Sequence, residues 1–401
     1  MNQPFASPSR AALRSLLASL LVAVGGCLSP VTIERAGVEY DRAVTNVITE
    51  QLLLNIARAR HHHPIHFTVV SNVAATFDYR VSAGITAPQR DASPSLLPVF
   101  TNTVAENPTV SIVPVEGEEF TKRLLTPLDE TRFYFLSRQG VDLNVLLRLM
   151  AREFRGEGGQ EEQVFANDPS RETEYREFRR RVLHLSALQE ARKLYVEPMA
   201  FEKNWELPLN SAEAFQALEK GYHLTHNPES RSYHLRKQMN GRVVITNYNP
   251  DILSKEVRYH LHLEASNLPQ NQILVDIRPG YPGGEYPFRG SFSFRSFNAI
   301  LRFLAAGIAE EREYDVPGDP RSGSVRFNPS RTIEIVESDR KPDDTAFAVS
   351  YGDRIYSLKK GTGNASAARW NLEAFRMLYI LFQMTVTDVS KVLVPAITIA
   401  K

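Results

Sequence analysis

Apolar residues recur at helical spacing early in the chain. Val44, Ile48, Leu52 and Ile56 fall at four-residue steps between Arg42 and Arg60, and Pro64 forbids continuation. His66 to Val73 is rich in β-forming residues, and Thr76 to Ser82 alternates polar with apolar as a half-buried strand does. Residues 86–98, with Pro88, Pro94 and Pro98, read as a loop. A second strand, Thr109 to Val113, and a short helix, Glu118 to Leu125, follow. Leu143, Leu146, Leu147, Met150 and Phe154 share one helical face, with Asp142 placed to cap the first turn.

Asp168-Pro169-Ser170 opens a long helix to about Leu194. Its stripe is Tyr175, Phe178, Val182, Leu185 and Leu188, and Arg176, Arg179, Arg180 and Arg192 read as its solvated sides. Ser211 caps a helix to Lys220, after which strands dominate. Asn240-Gly241 suits the tight turn of a hairpin, Val257 to Leu263 has clean period-two alternation, and Ile273 to Ile277 adds a strand. Beyond a Pro/Gly loop at 279–290 come Ser291 to Ser296 and a helix bearing Phe297, Ile300, Leu301 and Leu304. Strands follow at 332–336, 347–351 and 354–358, then a last helix through Leu372, Phe375, Leu378, Tyr379 and Phe382. Without a fixed repeat or a regular βαβ rhythm, the predicted fold class is α+β, mixed helices with largely antiparallel sheets. Gly156 to Glu162, glycine-rich and acidic, reads as part of a linker at 156–167. It would separate an N-terminal domain, 42–155, from a C-terminal one, 168–401, with a further division near 279–290.

Ahead of these elements Arg10 and Arg14 precede an apolar run from Leu16 to Val24, too short for a finished membrane span and typical of a secretory signal. The run ends in Val24-Gly25-Gly26-Cys27, which resembles the lipobox of bacterial lipoproteins. That resemblance implies cleavage between Gly26 and Cys27, a lipid thioether on Cys27, and residues 27–41 as a tether. With Leu28 after the cysteine, it also implies sorting to the outer membrane. An ordinary signal with an incidental cysteine is the alternative. Glu50 to Arg60, the run from Glu106 to Pro127, and Asp343 to Tyr356 are similar to a group of mostly proteobacterial envelope lipoproteins. This supports the address and carries over no active site.

Composition narrows the chemistry. Cys27 is the only cysteine, so disulfides, a catalytic thiol and a Cys-ligated zinc are excluded. Removing residues 1–26 takes away two arginines and no acid, leaving 45 bases against 46 acids, which is no footprint for nucleic acid. Nucleophile-elbow, zinc-protease, Walker and dinucleotide signatures are missing, and no cofactor is expected. His61, His62, His63 and His66 could capture a metal or simply end a helix in solvent, and His260 with His262 could form a two-point clamp on a strand face. Glu116, Glu118 and Glu119 on one side and Asp343 with Asp344 on the other are the carboxylates for acid–base work, although a helix N-terminus already explains Glu118 and Glu119. Tyr281, Tyr286 and Phe288, if exposed, would form a partner-binding patch. The readings that follow are a membrane-anchored, non-enzymatic scaffold or partner-binding lipoprotein with an envelope protein partner and an open oligomeric state, or an envelope hydrolase or carbohydrate-acting enzyme with a new carboxylate site.

Overall fold

The structure, a computed structural model, describes residues 28–86, 97–158, 161–208, 211–308, 313–360 and 365–386. The signal, Gly26 and Cys27 lie outside the described residues, as does most of the 86–98 loop. Helices are interspersed with mostly antiparallel strands, so the fold is α+β. Among the described residues no helix is long and apolar enough to cross a membrane.

The chain divides into two compact units. The first holds the residues through Gln51, the early part of helix α1 (Leu28–Arg60), together with an antiparallel ribbon of β1 (Phe67–Thr86) and β2 (Leu97–Val115). The two expected short strands at 66–73 and 76–82 are one strand. Gln51 fixes its start, donating from Nε2 to Thr68 Oγ1 at 2.8 Å and accepting from the Thr68 N–H at 2.9 Å.

The second unit, Leu52–His66 with Glu116–Val389, is built on a seven-stranded sheet. Before it lie α2 (Glu118–Leu125), α3 (Glu130–Ser137) and α4 (Leu143–Met150). The sheet strands are β3 (Ala151–Gly158), β4 (Glu161–Ala166), β5 (Tyr195–Leu207), β6 (His223–Asn227), β7 (Ser232–Thr246), β8 (Gln272–Ile277) and β9 (Phe288–Phe294). Their order is β4-β3-β9-β8-β7-β5 with β6 on β7, every pairing antiparallel except β7 with β8. That parallel pair needs a crossover, supplied by α7 (Lys255–Asn267). Leu261 and Ala265 of α7 pack on Met199, Val244 and Leu274. Against the sheet also lies α5 (Glu172–Glu190), whose Phe178 meets Phe292 at 5.8 Å between ring centroids, with Phe154 a further 4.9 Å neighbour of Phe292. The remaining elements are α6 (Ser211–Glu219), α8 (Phe297–Ile308), a three-stranded antiparallel sheet of β10 (Ile335–Ser338), β11 (Thr345–Tyr351) and β12 (Arg354–Lys359), and α9 (Ala365–Val386).

Four expectations differ from what is observed, each for a local reason. The stretch expected as a linker, 156–167, carries the β3–β4 pairing instead, and Gly156 lies opposite Gly290. A Cβ on Gly290 would sit 2.0 Å from the Arg155 carbonyl, so glycine here permits close strand approach rather than flexibility. Val257 to Leu263 is helical. Ser254 caps it by accepting from the Val257 N–H, and only Leu261 and Ala265 are buried while Tyr259 stays 47% exposed, so the alternation was coincidental. Asn240-Gly241 makes no turn: β7 continues through it with a register shift against β5, and a Cβ on Gly241 would lie 2.2 Å from the His262 ring. The loop at 279–290 is stapled to the sheet, Asn247 donating to the carbonyls of Arg278 and Pro282.

Candidate functional site

Helix α4 stops at Met150, one turn before Phe154, because its end is capped from far away. Three orphan carbonyls of its last turn are taken by the Arg295 side chain, at 3.0 Å from Arg148 O and 3.3 Å from Leu149 O, and by the Arg295 N–H at 2.6 Å from Met150 O. Asn167 Nδ2 adds donations to Arg148 O and Ala151 O. A cation at a helix C-terminus is favourable, which offsets part of the cost of burying Arg295. Burial nevertheless pushes its pKa down to about 9. The guanidinium also stacks on Phe303, 3.9 Å from the ring centroid.

Around this cap lies an open cavity of about 570 Å³. A single face of α8, Ala299, Arg302, Phe303 and Ala306, lines it together with Asn167, Asp168, Pro169 and Arg171 at the entry to α5. Arg152 and Glu153 of β3 line it, and Arg295 and Glu313 reach it from within the core. Four arginines therefore line it against three carboxylates among the described residues. Asn167 Oδ1 is buried there without a donor among the described residues.

Glu313 ties the cavity to a buried charged network. It accepts from Arg148 Nη2 at 2.9 Å, from the Tyr175 hydroxyl at 2.9 Å and from Thr332 Oγ1 at 2.7 Å, with the Thr332 N–H at 2.5 Å on its other oxygen. Arg179 donates to the Tyr175 hydroxyl and to Asn328 Oδ1. Arg148 and Arg179 are fully buried, which corrects the reading of Arg179 as a solvated residue of α5. The two guanidinium groups and the Thr332 bonds outweigh desolvation and hold the Glu313 carboxyl below the ordinary carboxylate range. Glu153, bonded by Arg152 and Arg155, is held low as well. Burial and the Glu313 charge push the Tyr175 phenol up to about 12.

The residues expected to carry function lie elsewhere. His61 closes α1 and shares a hydrogen bond of 2.6 Å with Tyr356, while His63 bonds Tyr351, so both fasten the helix end to the β11–β12 pair. Asn55 clasps the His66 backbone from both sides, and His62 is exposed at positive φ. Residues 61–66 thus act as a brace. On α7, His260 is exposed and His262 stacks on Phe201 at 3.9 Å, so two positions apart on a helix they diverge. Among the described residues no cluster of three His, Cys, Asp or Glu side chains is placed to hold a metal. Tyr281, Tyr286 and Phe288 do not form an exposed patch. Tyr286 is buried against His184 and Phe288, and Tyr281 packs on Tyr248 at 5.0 Å. Glu118 and Glu119 occupy the first turn of α2.

His184 was not singled out in the sequence. Its Nδ1 meets Ser322 Oγ at 2.7 Å and its Nε2 meets the Gly283 carbonyl at 2.9 Å. The carbonyl can only accept, so Nε2 carries the proton and the serine donates to Nδ1. Burial holds the ring below its usual pKa, in the neutral form that fits both bonds. No family model, curated protein or solved structure matches the chain.

Proposed function

We propose that the protein is a non-enzymatic, partner-binding lipoprotein of the cell envelope, held in the outer membrane through Cys27. The state of the cavity carboxylates carries this reading. A two-carboxylate hydrolase needs one acid held high to donate a proton, whereas two of the three cavity carboxylates, Glu153 and Glu313, are both held low by arginines. Such a cavity recognises an anionic group better than it moves protons; Arg152, Arg171 and Arg302 are all exposed there, and Arg302 has no ion-pair partner among the described residues.

A photo-crosslinking residue at Ala306 in the full lipidated chain tests this in cells. One specific envelope partner, lost in an Arg302→Glu background, supports it. Turnover of envelope polymers or esters by the purified chain, with no specific adduct, overturns it. Cys27→Ser tests the address: the mature body should leave the membrane fraction or remain as precursor, and unchanged fractionation and mass would remove the tether.

A further inference from the structure

The β1–β2 ribbon pairs strands of 20 and 19 residues. Its pairing register shifts between Val70 and Asn72, where β1 carries one extra residue, Ser71. Because side chains alternate with a period of two, one inserted residue swaps the faces of everything beyond it relative to β2. At the base, Phe67 and Val69, both buried, share a ribbon face with Val113 and Val115. Beyond the bulge the apolar row lies on the other face. There β1 places Val73, Phe77, Tyr79, Val81 and Ile85, and β2 places Val110, Val104 and Phe100 opposite them, interrupted by Glu106 and Asn102. The face beneath holds Asn72, Ala74, Thr76, Asp78, Arg80 and Ser82 on β1, with Ser111, Thr109, Asn107, Ala105, Thr103, Thr101 and Val99 on β2.

On β1 this dyad pattern, apolar on one side and polar on the other, is that of a strand with lipid on one face and water on the other, while β2 is mixed. Pro98 and Pro108, which cannot donate to a ladder, bracket a proline-free window on β2 from Val99 to Asn107, paired with Thr76 to Gly84. Nine residues match the roughly 9–11 that a tilted strand needs to cross a bilayer core. Among the described residues the sheet has two strands, and no third strand lies on either outer edge. Lipid offers the N–H and C=O groups of such an edge no partner, and only a closed barrel satisfies them.

We propose that each chain donates this ribbon to a transmembrane β-barrel closed by further copies of the same chain, at least about four if the smallest barrels have eight strands. The apolar row beyond the bulge meets the hydrocarbon, and the polar row lines the lumen. Neither the cavity nor its ligand enters into this.

Lipidation consumes the one native thiol, so single cysteines introduced at positions 76–84 of the full lipidated chain can carry a fluorophore. The chain is reconstituted in phosphatidylethanolamine/phosphatidylglycerol vesicles containing nitroxide lipid. Quenching at every second position, 77, 79, 81 and 83, together with a chemically crosslinked ladder reaching four copies or more, is the expected result. Quenching without periodicity, or a chain that stays monomeric in the vesicles, overturns it, including the case in which the apolar row packs on another protein. Val81→Arg should abolish vesicle insertion and dye release while Ser82→Arg leaves both; equal effects also overturn it. Labelling of the parent chain reports on Cys27 itself, which separates failure of the tether from failure of the barrel.

Discussion

The seven-stranded sheet and the two-stranded ribbon share the same alternating logic and finish it differently. In the sheet, strands are covered by named partners: α7 over Met199, Val244 and Leu274, and α5 against Phe292 and Phe154. Even its charged neighbours, Arg148, Arg179 and Glu313, are bonded within the same unit. In the ribbon, Phe67 and Val69 are buried at the base, and a bulge then moves the apolar row to the other face for fifteen further residues of β1, Asn72 to Thr86. Alternation thus says which residues share a face. What covers that face is decided by other parts of the chain, or by another molecule.

The contrast breaks or sharpens under substitution, measured as urea unfolding of the mature Cys27→Ser chain. Glu313→Ala should cost most, about 3–5 kcal/mol, because it leaves two buried arginines without their carboxylate. A loss under about 1 kcal/mol would mean the network is hydrated rather than sealed. Gly290→Ala should cost about 1–3 kcal/mol, since the new methyl meets the Arg155 carbonyl and β3 must move from β9.

His184 sets a smaller, pH-dependent difference. Its folded pKa lies below the usual 6.5, so as pH falls through about 6.5 the unfolded chain takes up the proton first and stability drops, levelling only below the folded value. Asp142 and Glu130, raised by burial, act with the opposite sign at lower pH. Subtracting the His184→Gln profile isolates the histidine, and the difference should shrink from pH 7 to pH 5. A flat difference would show that the ring titrates equally in both states. Smallest of all, Tyr79→Ser in the ribbon should change the stability of the water-soluble chain by no more than about 0.5 kcal/mol. A cost like that of Gly290→Ala would mean the ribbon is packed as the sheet is, and the comparison would fail.

Much of the element order was legible because it depends on near neighbours. The helix from Glu118 to Leu125, the strand Gln272–Ile277 and the strand pair meeting at Gly352-Asp353 follow from spacing and turn residues within a few positions. Period-two spacing failed at Val257 to Leu263, where only Ser254 and the Leu261–Ala265 step signalled a helix. Glycine misled in both places where it marked crowding, Gly241 under His262 and Gly156 opposite Gly290, since composition does not separate a flexible glycine from a compressed one.

By itself the sequence determined the interspersed α+β class and which residues of each strand share a side, because those follow from periodicity and local backbone preference. It also holds the lone cysteine and the signal pattern on which the proposed address rests. Only the tertiary structure decided that Arg295 caps α4, that Arg148, Arg179 and Glu313 meet, and that His61 and His63 brace a sheet. Arg148 and Glu313 stand 165 positions apart in the chain, and a charge with so distant a partner looks, in sequence, like any solvated residue.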